Sequence, residues 1–362
     1  MDIVIVAHAF PPYIGGLSYV VENISTRLAA KGFNVEVVTL DVDGGLPREE
    51  VYRGVYVKRF RGYAPDGGYF IPSIDFYRYL KSREADVFHL HNIGALTVPA
   101  AYMALRSTGR SYVVTPHYHR SGYKWHAKVL WRLYRPIARR ILRGAGVVHC
   151  VSSYEASLVR EVFGVDGIII PNGVSEDVLD YRWSPPSGGI VVTYAGRLEK
   201  YKRVDLVVKT AAILKQRGFR DVVVKIIGRG PDLERIMSVA EELGVEVTHL
   251  GFLPRPRYLE ELSKSTVFVD ASQYEAYSVV SAEANAMGVP TVVVEPWGQH
   301  FKGLRNVFIA EPSPGAIANA VEDAVKNSVE EGSSSQRLLQ VPSWNTVVER
   351  LVNEVYSRIA KR

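Results

Sequence analysis

The sequence predicts an α/β protein made of two doubly wound, mostly parallel sheets. Short β-branched runs alternate with longer amphipathic ones through the first half of the chain. A stretch rich in Pro, Ser and Gly, YRWSPPSGG, interrupts that rhythm, and the alternation then restarts. The length of 362 residues agrees with two domains, because single cores stop growing near ~250–300 residues.

In the first half the strand candidates are DIVIVAH, NVEVVTL, VYVKRF, DVFHLH, SYVVTP and GVVHCV, with helices near 16–31, 73–83, 95–107, 124–143 and 153–162. The run IIIPNGV closes a domain over 1–174, and 175–189 reads as the linker. A second domain over 190–342 has strands at IVVTYAGR, VVVKIIGRG, VEVTHLGF, STVFVDAS and PTVVVEP. Its helices fall near 203–217, 231–243, 256–263 and 279–287. EGSSSQ reads as a flexible loop, and SWNTVVERLVNEVYSRI, apolar at helical spacing, as a terminal helix within 343–362. Two such domains facing across a cleft place a ligand at the carboxyl ends of their strands.

Composition narrows the class. Apolar content of 47% and charge of 23% are those of a globular protein. The lone Cys150 sits in an apolar run and reads as a buried core thiol. The opening apolar run is too short for a secretory signal, and no 18-residue apolar stretch exists, so the expectation is a cytoplasmic enzyme. The net charge of +6 is uneven: residues 1–150 carry 20 Lys+Arg against 11 Asp+Glu, the remainder 24 against 27. A basic first half suggests an anionic partner for it.

Chemistry gathers in the second half. EAYSVVSAE sets Glu275 and Glu283 eight positions apart, one at a loop mouth and one about two turns into a helix. A helix N-terminus favours an anion such as a diphosphate. Arg197 and Lys202, in GRLEKYKRVD, follow an apolar run at a strand-to-helix turn. Cations for phosphates and carboxylates for hydroxyls together suit a sugar nucleotide. In the first half, Gly15 and Gly16 follow the first strand in FPPYIGG and let backbone N–H groups approach a phosphate. The turn lacks the G-x-G-x-x-G dinucleotide fingerprint, which argues against a nicotinamide enzyme.

The order PNGV, GRLEKYKRVD, GRGP, GFLP, then E-x7-E followed by A-x-G-x-P resembles the family 4 retaining glycosyltransferases across almost the whole chain. The resemblance implies the GT-B fold, a terminal helix crossing back onto the first domain, and an acceptor bound by that domain. It implies catalytic roles for His117, Arg197, Lys202 and Glu275, and donor contacts at Gly15, Gly16, Gly228, Ser278, Val279 and Glu283. Glu283 matches the glutamate that binds ribose hydroxyls, Glu275 the one near the donor sugar, and His117 the histidine that contacts that sugar. His91 matches a commonly seen family position. Retention in the family is ascribed to front-face attack, which leaves Glu275 to binding and electrostatics. The chain departs from the family at Ala276 and Ser278, where glycines are usual, and at Tyr277, where Phe is usual. These changes bear on substrate identity.

Metal readings are weak. His89 with His91, and His117 with His119, form H-x-H pairs without cysteine partners. Asp41-Val42-Asp43 falls in what reads as a solvated loop far in sequence from every donor motif. No cofactor is expected, the NDP-sugar being a substrate, and transfer is expected to be metal-independent. His8, His126, His149, His249 and His300 read as structural.

Residues 120–143 hold eight Lys+Arg and no acid, interleaved with Tyr123, Trp125, Trp131 and Tyr134. Lys128, Arg132, Arg135 and Arg139 form one helical stripe; Leu130, Leu133, Tyr134, Ile137 and Ile141 form another, and Pro136 is expected to kink or interrupt the helix. The stripe either packs on the sheet with its charges solvated or meets anionic lipid at the inner face of a membrane. No nucleic-acid module is present, so nucleic acid is not an expected partner. The expected function is transfer of a sugar from a nucleoside-diphosphate sugar to a glycan or lipid-linked acceptor. The alternatives are a sugar-nucleotide epimerase or hydrolase on the same fold, or a non-catalytic sugar-nucleotide-binding protein.

Overall fold

The computed structural model describes residues 1–65, 69–120, 125–330 and 341–360. Tyr123 and the EGSSSQ segment lie outside the described residues, as do the side chains of 125–128 and 328–330. The chain divides into two compact units, Met1–Asn172 with Trp344–Arg362, and Gly173–Ser343.

The first unit is built on nine strands: β1 Asp2–Val6, β2 Asn34–Asp41, β3 Glu49–Tyr52, β4 Val55–Tyr63, β5 Ile71–Pro72, β6 Val87–His91, β7 Val113–Thr115, β8 Val147–Cys150 and β9 Ile168–Ile169. Their order is β3-β4-β2-β1-β6-β7-β8-β9, with β5 paired to β4. Pairing is parallel except at β3 with β4 and β4 with β5. The β3–β4 hairpin turns on Arg53 (φ 49°) and Gly54 (φ 82°), both left-handed, as a tight two-residue hairpin loop requires. Sequence reading missed β3 because EEVY is an edge strand whose charged and apolar positions carry no β-branched run.

Strand alternation divides the core. Val4 and Val6 face one layer with Leu40, Phe76, Leu90 and Leu105, while Ile3 and Ile5 face the other with Val37, Val87 and Val113. That second layer includes the C-terminal segment, through Trp344, Val348, Leu351, Val355 and Ile359. The segment is helical over Trp344–Arg350, widens to a π turn over Leu351–Tyr356, and ends in Ser357–Ile359.

A hydrogen-bonded line fixes this segment to the sheet. His149 Nε2 lies 2.9 Å from the Ile170 carbonyl, so it carries the proton and leaves Nδ1 to accept from Thr115 Oγ1 at 2.7 Å. Thr115 in turn accepts from His89 Nε2 at 2.6 Å, and His89 Nδ1 accepts from the Tyr356 hydroxyl at 2.8 Å. Every donor in the line has one acceptor, and both imidazoles are neutral. Burial depresses their basicity, His149 to about 4 and His89 well below the ordinary range.

The second unit holds β10 Ile190–Ala195, β11 Val222–Ile227, β12 Glu246–Gly251, β13 Val267–Asp270, β14 Thr291–Val294 and β15 Val307–Ala310. They form one parallel sheet in the order β12-β11-β10-β13-β14-β15. Sequence reading missed β15 and the helix Pro314–Glu330 behind it. The stretch read as a linker packs on this unit. Trp183 donates from Nε1 to the Ser265 carbonyl at 2.8 Å and from its backbone to Met287 at 3.0 Å, and Val178, Tyr181 and Trp183 join an apolar cluster around Leu259 and Phe268. No helix among the described residues is long and apolar enough to cross a membrane.

Acid should loosen the first unit. Unfolded histidines take up protons below about pH 6.5, but folded His89, His91, His117 and His149 resist until far lower, His117 to about 3. Stability is therefore full above about 6.5 and falls as pH drops toward 4, by up to about 1.4 kcal/mol per pH unit for each histidine. Buried Glu155, pushed up to about 8, acts oppositely and takes stability away as pH rises from about 4.5 to about 8. Urea midpoints across pH 5–8 should peak near neutrality. Tyr356→Phe, which strands the His89 acceptor, should lower stability by about 1–3 kcal/mol.

Candidate active site

In the second unit, β10 ends at Ala195 and the chain turns through Gly196 to Arg197. The Tyr194 hydroxyl donates to the Arg197 carbonyl at 3.0 Å, and the guanidinium donates to the Tyr201 hydroxyl at 2.9 Å. The Arg197 side chain is 61% exposed, and its guanidinium lies 3.8 Å from Glu199. A short 3₁₀ turn, Lys200–Lys202, then directs Lys202 onto Glu275 Oε1 in a direct ion pair, with both side chains about 15% exposed (16% and 15%). The Gln273 N–H donates to the Tyr201 carbonyl at 2.7 Å and ties the two loops together. Burial works against the Lys202 ammonium, but Glu275, Tyr194, Tyr201 and Asp270 together outweigh it and hold the group well above the usual lysine range, while burial raises the Glu275 carboxyl above its own ordinary range. Arg197, Lys202 and Glu275 thus meet in one place.

Glu283 belongs to a neighbouring but separate cluster. Its side chain is buried; Oε2 accepts from the Tyr258 hydroxyl at 2.7 Å and Oε1 pairs with Arg255 Nη1 at 2.8 Å. Arg255 also grips Asp177 with Nε at 2.6 Å and Nη2 at 2.9 Å. Sequence reasoning missed Arg255 and Tyr258. The signal was the basic and aromatic RPRY opening the helix Arg255–Ser263 directly after GFLP.

Two expected donor contacts have structural duties. Ser278 caps the helix Val279–Ala286, accepting from the Ser281 N–H at 3.3 Å and donating inward to Asp270 at 2.7 Å. Its hydroxyl is committed to the core, which leaves Val279, the first helical residue, to offer a backbone N–H outward. Gly228 has φ 136°, and a Cβ there would stand 1.9 Å from the Gly196 carbonyl oxygen. Contact between the β10 and β11 turns requires glycine at 228 whatever the ligand. Ala276 and Tyr277 are buried, the ring lying 5.0 Å from His300 and 5.5 Å from Phe301.

The first unit holds the other expected site residues, Gly15, Gly16 and His117. Gly15 caps the helix Gly16–Ala30 with extended backbone, and added Cβ atoms at 15 and 16 would meet open space. Nothing in the fold demands glycine there. His117 follows β7 with a left-handed φ of 49°, and its Nε2 lies 3.1 Å from His91 Nδ1, the two rings stacked 5.4 Å apart. His91 stands at the end of β6, buried, so the H-x-H residues 89 and 91 serve hydrogen bonding and packing. Asp41 corrects an expectation: it is not solvated but buried. Its carboxylate accepts from the backbone of Gly44 (2.9 Å), Gly45 (3.1 Å) and Leu46 (3.3 Å) and so shapes the loop.

Of the kink or interruption expected at Pro136, the interruption is absent: the helix Trp125–Gly144 is continuous through it. Its packed face is Trp131, Tyr134, Ala138, Ile141 and Leu142; Trp131 stacks on Tyr118 and the Tyr134 hydroxyl donates to the Ile93 carbonyl. The apolar stripe does not all pack. Leu130, Leu133 (70% exposed) and Ile137 face solvent beside exposed Arg132, Arg135 and Arg140. Arg139 leaves the basic stripe and donates to the Val162 carbonyl at 3.0 Å.

Two doubly wound parallel sheets, with their charged and polar groups at strand ends, define the GT-B class of transferase fold. The whole chain superposes on sucrose-phosphate synthase from Thermosynechococcus elongatus with a TM-score of 0.81 at 18% identity, covering 100% of both chains. Residues 14–178 match Glycosyltransferase Family 4, and 179–338 match Glycosyl transferases group 1. The chain belongs to family 4 of the glycosyltransferases. It is 29% identical over 309 residues to a GDP-mannose:cellobiosyl-diphosphopolyprenol alpha-mannosyltransferase of Xanthomonas oryzae, covering 80% of this chain and 77% of the relative. It is 25% identical over 382 residues to a GDP-mannose-dependent alpha-mannosyltransferase of Mycobacterium tuberculosis, covering 97% and 95%.

Removing one partner of the Lys202–Glu275 pair leaves a buried charge uncompensated. Lys202→Met should destabilise the second unit by about 3–5 kcal/mol, and adding Glu275→Met should recover much of that loss. Denaturant unfolding of the single and double variants reads the difference.

Proposed function

We propose that this glycosyltransferase moves a sugar, with retention, from a nucleoside-diphosphate sugar to a hydroxyl on a lipid-linked acceptor. The carrying observation is the cluster of Arg197, Lys202 and Glu275 at the end of β10, beside the helix opened by Val279. In this reading the diphosphate lies between the two cations and the helix N-terminus, and Glu283 exchanges a protein donor for the ribose hydroxyls.

Departure of the nucleoside diphosphate builds negative charge on its phosphate, and Arg197 and Lys202 stabilise that charge as the anomeric C–O bond breaks. Glu275 is already neutralised by Lys202, which makes it a poor nucleophile. That favours front-face attack over a covalent glycosyl intermediate: the acceptor oxygen bonds the anomeric carbon, and its proton passes to the departing phosphate oxygen. His117 hydrogen-bonds the sugar. Gly15 and Gly16, glycines that the fold itself does not demand, leave room for the donor.

The acceptor reading rests on the helix Trp125–Gly144, whose exposed Leu130, Leu133 and Ile137 sit among exposed arginines. Apolar side chains flanked by arginine suit an anionic membrane, where each basic residue contributes roughly 1 kcal/mol, less at high salt. The Xanthomonas relative's name, with its diphosphopolyprenol acceptor, agrees with this.

Thermal shift against UDP-, GDP- and ADP-sugars tests the donor, and the best binder should then release nucleoside diphosphate only when an acceptor is supplied. Release without acceptor means hydrolysis and defeats the transfer reading. Loss of activity in EDTA, restored by Mg²⁺ or Mn²⁺, would overturn the expected metal independence. Vesicle sedimentation should show binding to anionic but not neutral lipid, weaker at high salt and lost on changing Arg132, Arg135 and Arg140 to Ser. If the unmodified protein ignores anionic vesicles at low salt, the face is merely solvated and the acceptor is soluble. Gly15→Ala should leave the melting temperature unchanged while raising donor KM, whereas Gly228→Ala should cost at least about 1–3 kcal/mol of stability by overpacking.

A further inference from the structure

Glu155 is a fully buried carboxyl group, and among the described residues its oxygens are held by backbone N–H groups. Its Oε1 accepts from the backbone N–H of Tyr118 at 2.6 Å and its Oε2 from that of Val151 at 2.6 Å. Those N–H groups belong to the loops that leave β7 and β8, adjacent parallel strands. Glu155 is itself fixed, because its own N–H donates to the capping Ser152 hydroxyl at 3.0 Å. The carboxylate therefore ties two neighbouring strand ends at one point.

Tyr118 directly follows His117, whose backbone is held in the left-handed region at φ 49°, a conformation that persists in a residue with a side chain only where the surroundings enforce it. The Tyr118 ring adds a second hold, stacked on Trp131 at 5.3 Å and edge-on to Phe163 at 5.1 Å. On the other side, His91 fixes the His117 ring. A helix N-terminus needs only Ser152 as its cap. A carboxylate kept in the core and turned onto the residue after His117 does more than capping requires.

We infer that Glu155 is a positioning residue for sugar transfer: by holding the Tyr118 N–H it sets the His117 backbone, and through it the imidazole that meets the donor sugar. This rests on the reading of His117 given under Proposed function.

Glu155→Gln is near-isosteric, but its amide nitrogen meets one of the two N–H donors, so one bond is lost. The folded variant should bind nucleoside diphosphate within about twofold of the unmodified protein, because that site is in the other unit, and its kcat should fall by about 10–100-fold, the scale of a small misplacement. In a His117→Ala background the same change should lower kcat no further, since residues acting as one unit are not additive. If Glu155→Gln does not fold, Glu155→Asp keeps the carboxyl group, withdraws both oxygens by about a bond length, and should show the same split. An unchanged kcat, or an equal loss with and without His117, overturns the inference and leaves His117 its role. A His117→Ala variant with full turnover overturns both.

Discussion

Parallel strands buried on both faces admit charge along their length only where it is paired, as Glu36 of β2 is with Arg83, so most of the polar chemistry of this chain collects where the strands end. Gly15 and Gly16 follow β1, His91 closes β6, His117 follows β7, Arg197 follows β10, Gly228 follows β11 and Glu275 follows β13. The cost of burying unpaired polar groups enforces the same order inside the sheet, where β6, β7 and β8 carry His89, Thr115 and His149. They are admitted only as one line of hydrogen bonds running from Tyr356 to the Ile170 carbonyl. Because Tyr356 begins that line, the C-terminal segment is part of the first unit's interior.

The same rule governs the carboxylates. Glu275 is matched by Lys202, Glu283 by Arg255 and Tyr258, and Glu155 by two backbone N–H groups. A donor substrate bound at Glu283 as proposed would meet an acid already satisfied by protein, so that binding there would be an exchange of partners. Exchange of hydrogen bonds contributes modest net affinity but strong geometric selection, since an ill-fitting ligand leaves Tyr258 or Arg255 stranded. At Glu275 the pairing has a chemical consequence, because a carboxylate held by an ammonium offers field and position more readily than a bond to carbon.

The departures from family pattern between the two acids have a physical account. Ser278 replaces a usual glycine and spends its hydroxyl on Asp270 and on the helix cap, and the Tyr277 ring packs toward His300 and Phe301. Both side chains turn into the second unit. The loop accommodates extra atoms on its inner side, which leaves its outward surface largely backbone.

Sequence alone determined the two doubly wound units and most strand and helix positions, because periodicity is a local signal that survives without coordinates; it set Arg197, Lys202, Glu275 and Glu283 about one ligand, whereas Glu283 pairs apart with Arg255. Strand β3 escaped it, since an edge strand lacks the buried β-branched run. So did the packing of 175–189, since Trp183 finds its partners at Ser265 and Met287, about 80 and 100 residues away. The helix Trp125–Gly144 shows the limit most clearly. Its apolar positions span a wide arc opposite the basic stripe, and only contact with Tyr118, Phe163 and Ile93 decides that Trp131 and Tyr134 go inward while Leu133 and Ile137 stay out. Sequence reading passed over Glu155 and its hold on Tyr118. That bond joins residues 37 apart, and which loop lies over a buried carboxylate is settled by the packing of neighbouring strands, a property no single stretch of sequence contains.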